Sequence, residues 1–367
     1  MLRGLSILAV VVFHINMRLR LGATPIGKHL PKFVLTGIAG NGHNGVIIFF
    51  AISRFLVTTT CLPLWGSLSE IPFLQFYSLR FARIAPLLLV LLVVLSILHL
   101  LHVPYFTIDP QRSSLRRALF AALTFHVNWL EALHGYLPAN WGVLWSLSNE
   151  ELFYVGLPVL CAAIRKQAGI VLMLLTFVVS GPFARTVLTH NEIWADKGYR
   201  SCMDAIAIGC LAALFANKII VGTRGRIALE VLGWSLIVFV TTFRTQARYL
   251  GLFDRGLSVT VLAAGTAIVA IASLQARRLG SRLLAPARWF GRNSYEIYLT
   301  HMMVIFSLLP LANSLDEGRH WVLLWYVLIV GGDGRARLVD FAILFGTNEP
   351  TPANPYTGLS RFDRKSH

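Results

Sequence analysis

Apolar runs of about 20 residues recur from one end of this chain to the other, and they constrain its fold more than any other feature. A hydrocarbon layer about 30 Å thick takes roughly 20 helical residues to cross, and within it only helices and closed barrels satisfy every backbone polar group. The runs predict ten spans, at 2–16, 45–64, 84–103, 142–164, 170–188, 199–216, 227–243, 253–274, 293–312 and 320–345. The expected fold is therefore all-α, a polytopic bundle of about ten transmembrane helices. Composition agrees: of 367 residues 56% are apolar and only 14% charged, outside the soluble range. A net charge of +16 suggests nucleic acid, but a soluble nucleic-acid binder carries far more charge than 14%. Cys61, Cys161, Cys202 and Cys210 all lie in apolar stretches without a CxxC pair, so neither a disulfide framework nor a metal site is expected.

Loop charge orients the bundle. Residues 115–133 are apolar but interrupted by Arg116, Arg117, His126, Asn128 and Glu131, and each central charge costs about 2.5–3.5 kcal/mol to insert. With that segment kept out of the membrane, one set of loops holds 12 Lys/Arg in 52 residues and the other 11 in 92. The denser side is cytoplasmic, together with both termini, and the expected location is the inner (plasma) membrane. Residues 1–16 lack a cleavage-like site and read as a retained helix. No separate soluble domain is apparent, so any chemistry must be built from helix ends and intramembrane polar residues.

Five polar clusters intrude on the apolar pattern. Arg3 and His14 are eleven positions apart, which returns to within about 20° of the same helix face and separates them by about 16 Å along the axis. A deep neutral imidazole can act as a general base, and a guanidinium at the mouth can hold a phosphate; an anchor and a packing donor are the structural alternative. Glu150 and Glu151 open a long apolar run. Ser148 and Glu151 have capping-box spacing, which leaves Glu150 seeking a cationic or imidazole partner. Arg80 and Arg83 lie about one turn apart and suit an anion from the cytoplasm, although flanking charges look the same. Arg200 and Asp204 have i, i+4 ion-pair spacing, and Ser294, Tyr298 and His301 form an i, i+4, i+7 stripe. Together they favour an internal polar cavity.

At these residues the chain resembles the membrane-bound acyltransferase family 3. Leu2-Arg3-Gly4-Leu5 through Phe13-His14 resembles its opening motif, and Gly45-Val46, Phe49-Phe50 and Ser53 resemble its FFxxSGF segment. Arg80, Arg83 and Pro86 are similar to its arginine-rich helix start, and Trp145-Ser146-Leu147 with Glu150, Phe153 and Tyr154 to its WSLxxExxFY block. Arg200, Asp204 and Gly209, then Ser294-Tyr295, Tyr298-Leu299 and His301, complete the order. The resemblance implies an acyltransferase-type transmembrane domain over 1–345, with 346–367 as a polar cytoplasmic tail. It implies transfer of an acyl group, usually acetyl, from acyl-CoA to a hydroxyl of a carbohydrate or lipid-linked acceptor. Acyl-CoA is then a donor substrate and no cofactor is resident. His14 is implied as catalytic base or transient acyl carrier, Glu150 as the group that tunes or orients the centre, and Arg3, Arg80 and Arg83 as phosphate ligands. Ser53, Arg200, Asp204, Tyr298 and His301 are further polar-cavity candidates.

The sequence departs from that pattern in three places. Arg54 stands where the motif has glycine, and Ile47 and Ile48 stand where an acidic residue is common. Gly331-Gly332-Asp333-Gly334-Arg335-Ala336-Arg337 interrupts the last predicted span. An inactive relative kept for binding is the reading these departures motivate. A proton-coupled secondary transporter using His14, Glu150 and Asp204 is the other rival, against which no two-halved symmetry is visible.

Overall fold

The computed structural model describes residues 1–187, 190–216, 218–276, 282–315 and 321–335. Among them every regular element is a helix. The principal helices are α1 Leu2–Arg18, α2 Gly42–Trp65, α3 Phe73–Leu100, α4 Leu115–Leu123, α5 Val127–His134, α6 Trp145–Ile164 and α7 Gln167–Val187. They continue as α8 Tyr199–Ala216, α9 Thr223–Thr242, α10 Ser258–Leu274, α11 Ala285–Arg292, α12 Ser294–Leu315 and α13 Val322–Arg335. Seven helical stretches among the described residues are long and apolar enough to cross a bilayer. They include α2, α3, α7, α9 and α12, together with α6 and α8, each lengthened by the short helix before it. Shorter helices occupy three more of the expected positions: α1 and α10 have 17 residues each, and α13 is apolar over Val322–Gly331.

Two expectations about element bounds change. The third span starts at Phe73 rather than 84, giving 28 residues, about 42 Å of helix, longer than the hydrocarbon is thick, with Arg80 and Arg83 inside the helix rather than ahead of it. The helix of the last span carries through the first glycines to Arg335, whereas the rest of the polar interruption, the apolar residues 338–345 and the 346–367 tail lie outside the described residues. The doubtful segment 115–133 folds as α4 and α5, nine and eight residues long, each too short to cross. Ser114 caps α4 by accepting from the Arg117 amide, and α5 ends at Gly135 with φ +89°.

Small side chains decide which helix sits at the centre. α8 presents Cys202, Ala205, Ala207, Gly209, Cys210, Ala212 and Ala213 as buried positions, which lets α2, α7 and α10 approach closely. The α8 stretch is 67% buried and α2 61%, whereas α9 at 17% and α7 at 22% are peripheral. α1 packs against α2, α11 and α12. At its start Gly4 touches α11 so closely that a Cβ would collide with the Ala287 carbonyl oxygen, and at the α2–α8 crossing a Cβ on Gly209 would collide with that of Ala51.

Backbones this close leave no room for relaxation. Gly209→Val should therefore cost about 1–3 kcal/mol, read as a lowered thermal midpoint of the purified protein in detergent. An unchanged midpoint contradicts the crossing described here.

Candidate active site

Two polar contacts clamp α1 to α12. At one end the Arg3 guanidinium donates to Ser294 Oγ at 2.7 Å; toward the other, His14 Nδ1 and His301 Nε2 are 3.2 Å apart. The spacing on the two helices differs, eleven residues on α1 against seven on α12, or about 16 against 10 Å of rise. The long reach of the Arg3 side chain makes up the difference.

The hydrogen bonds assign the imidazole protons. His301 Nδ1 lies 2.6 Å from the Tyr298 carbonyl oxygen, which can only accept, so Nδ1 carries the proton and Nε2 the lone pair. His14 Nδ1 lies 3.0 Å from the Val10 carbonyl oxygen and faces that lone pair, so it is the donor to both. The neutral His14 thus keeps Nε2 unprotonated, the tautomer a general base requires. His301 is fully buried. Tyr298, on the same helix, ties this stretch of α12 to the chain that leads into α6: its hydroxyl donates to the Val143 carbonyl at 2.9 Å and accepts from Ser146 Oγ at 2.7 Å.

His14 lines a cavity of about 600 Å³, whose walls include Arg18, His43, Tyr136, Trp145, Lys197 and Phe306. This cavity lies at the end of the bundle where α1 finishes and α2 begins. Lys197 Nζ is 2.8 Å from Glu131 Oε2, and Glu131 Oε1 accepts from the Leu137 amide at 3.1 Å. Burial pushes the Glu131 carboxyl above its ordinary range while Lys197 pulls it back. The lysine also lies over the Tyr136 and Trp145 rings at 4.5 and 5.5 Å.

A second cavity, about 270 Å³, opens at the opposite ends of the same helices and is lined by Arg3, Ser53, Arg80, Arg83, Glu150 and Tyr295. Arg80 stacks over the Tyr154 ring at 4.0 Å and Arg3 over Phe49 at 5.1 Å. Between the two cavities lies a void of about 20 Å³ whose walls include Glu150 and Tyr295, shared with the second cavity, and Val46 and Tyr298, shared with the first. His14 thus faces the larger chamber alone, and the small void lies as a neck between that chamber and the arginine-lined one.

The structure gathers Arg3, Ser53, Arg80, Arg83 and Glu150 at one chamber and His14 and Tyr298 at the other, with His301 buried against His14. Glu150 does not reach His14: its carboxylate pairs with Arg54 at 3.1 Å, and the imidazole is oriented by His301 and Val10 instead. Nor does the capping box form, because α6 begins at Trp145 and Ser148 is already inside it. Ser148 Oγ accepts from the Val127 amide, and Glu151 is buried with Oε1 unpartnered. Asp204 pairs with Arg185 of α7 rather than Arg200, at 2.7 Å, with Thr260 donating to the same oxygen at 2.6 Å. Arg200 is exposed and makes no ion pair among the described residues, so this cluster braces α7, α8 and α10 away from both chambers. Sequence reasoning missed Arg185, Lys197 and the role of Arg54; a lone cation near the end of an apolar run was the available signal for Arg185.

Comparison with known proteins adds a second line of support. A family model described as an acyltransferase domain matches residues 1–332. The peptidoglycan O-acetyltransferase OatA of Listeria monocytogenes is 26% identical over 332 residues, covering 84% of this chain and 49% of that protein. The O-acetyltransferase OatA of Staphylococcus aureus is 22% identical over 330 residues, covering 83% and 49%. The chain spans about half the length of these curated relatives. No solved structure matches it.

Exchange of Arg185 for Met should strand the fully buried Asp204 carboxylate and cost about 3–5 kcal/mol of stability, seen by thermal unfolding in detergent. Arg200→Met should stay within about 0.5 kcal/mol. Equal effects of the two would refute the pairing.

Proposed function

The chain belongs to the membrane-bound acyltransferase family 3, and from that premise we propose that it is an integral-membrane O-acyltransferase. The donor is acyl-CoA, carrying acetyl as the relatives' names suggest, and the acceptor is a hydroxyl of a cell-envelope carbohydrate, free or lipid-linked. The observation that carries this reading is the imidazole pair, whose His14 lines the larger of two chambers with different linings. Three guanidiniums, from Arg3, Arg80 and Arg83, suit the phosphates of the donor. Aromatic walls and a mixture of charged and polar groups suit a sugar. The arginine-lined chamber lies on the side that loop charge makes cytoplasmic, in the inner (plasma) membrane with the N-terminus cytoplasmic. The donor's flexible arm would enter from there and bring its thioester through the neck.

In the proposed reaction His14 Nε2 takes the proton of the acceptor hydroxyl as its oxygen attacks the thioester carbonyl. A carbon–oxygen bond forms, the carbon–sulfur bond breaks, and the departing thiolate takes the proton from His14. His301 stabilises the transient imidazolium, since its Nε2 lone pair accepts the His14 Nδ1 proton's hydrogen bond throughout. Transient acylation of His14 would use the same nitrogen. Glu150, held by Arg54, lines the donor's path and takes no proton in this scheme.

Thioester consumption by purified protein in detergent, with acetyl-CoA and a panel of envelope glycans, tests the reading. His14→Gln, whose side-chain amide can still donate to His301 Nε2, should lower turnover by about 10²–10⁴-fold while the thermal midpoint holds, and full turnover in that variant would falsify the assignment. His301→Ala should lower kcat with little change in the donor's KM, because His301 touches neither substrate.

A further inference from the structure

Arg54 is the least expected residue in the bundle. It replaces the glycine of the motif the sequence resembles, yet it is 1% exposed. Gly209 of α8 makes the room: a Cβ there would come within 3.0 Å of the Arg54 Cβ. The guanidinium lies 3.3 Å from the centre of the Tyr154 ring, and its Nη2 is 3.1 Å from Glu150 Oε1 and 3.5 Å from the Glu150 carbonyl oxygen. Arg80 approaches the same ring at 4.0 Å, so Tyr154 bears two cations, one buried and one facing the donor chamber. Arg54 is absent from the lining of that chamber, so it is not a fourth ligand for an anion there.

Its partner is placed where a small movement matters. Among the described residues Glu150 contributes the one carboxylate in the lining of the donor chamber, and it also lines the neck, with its side chain 15% exposed. An ungripped carboxylate at that spot shares the chamber with three guanidiniums, on Arg3, Arg80 and Arg83, and each one it engages is lost to an incoming phosphate. We infer that Arg54 is a positioning residue for the donor: by holding Glu150 against the chamber wall, it keeps the arginines free for an anionic ligand. This rests on the acyl-CoA reading above, and it goes beyond that reading because Arg54 touches neither substrate nor imidazole. It also turns the glycine replacement from a sign of decay into a working part.

The test is the affinity of coenzyme A itself for the purified full chain in detergent, measured by calorimetry on the wild type, R54M, R54K and R54M/E150Q. R54M should bind about tenfold or more weakly, since it removes the charge and keeps the length. R54M/E150Q should recover to within about threefold of wild type, because the released carboxylate is gone as well. R54K keeps the charge and should stay within about threefold. A merely structural Arg54 would not show rescue by a second substitution at Glu150. Binding by R54M equal to wild type, or a double variant as weak as R54M, overturns the inference alone. A wild type that binds no coenzyme A overturns the donor assignment and the inference together. If R54M does not fold, R54K and R54K/E150Q decide: a tenfold loss in R54K that E150Q does not relieve overturns it.

Discussion

The pairing of α1 with α12 through two polar contacts is the interaction on which the rest of the site depends. Within hydrocarbon there is no water to satisfy a stray imidazole or guanidinium, so a polar side chain between helices must find its partner on another helix. Arg3 finds Ser294, and His14 finds His301. The two contacts fix α12 in register against α1, and Tyr298, between them on α12, reaches α6 through Val143 and Ser146. Loss of either contact would let α12 rotate or slide, and the imidazole would lose one of the two acceptors that hold its proton on Nδ1.

Other buried charges serve the frame. The Arg185–Asp204–Thr260 cluster ties three helices together at a place no chamber reaches. The Lys197–Glu131 pair joins the short helix Glu192–Lys197 to α5 and closes one wall of the larger chamber. Buried ion pairs of this kind add little net stability over apolar packing but are costly to break, so they specify an arrangement more than they strengthen it. Among the described residues that line it, the smaller chamber holds three guanidiniums and one carboxylate, so an entering anion would meet net positive charge.

What the sequence made legible follows from helix geometry. Positions 3 and 14, and positions 294, 298 and 301, share faces because intrahelical spacing alone determines it, and the folded chain uses both faces. Apolar length placed the helices, although the described residues contain seven of full crossing length where ten were expected. Partners across helices were not legible. Asp204 had a cation at i−4 and took one from α7 instead, because a buried carboxylate gains more from a guanidinium that is also out of water. Ser148 matched a capping pattern, but the helix starts earlier, where the Ala139–Val143 turn feeds directly into Trp145. Glu150 and Arg54 are 96 positions apart, and no local pattern links them.

The central claim is that donor and acceptor meet His14 from opposite faces of the membrane. Sealed, uniformly oriented proteoliposomes test it most directly, with label in the acetyl group of acetyl-CoA supplied only on the Arg3 side and peptidoglycan fragments only on the other. The account predicts acetylated glycan on the far side while the free coenzyme stays with the donor. Transfer that occurs only when both substrates share one side would contradict it.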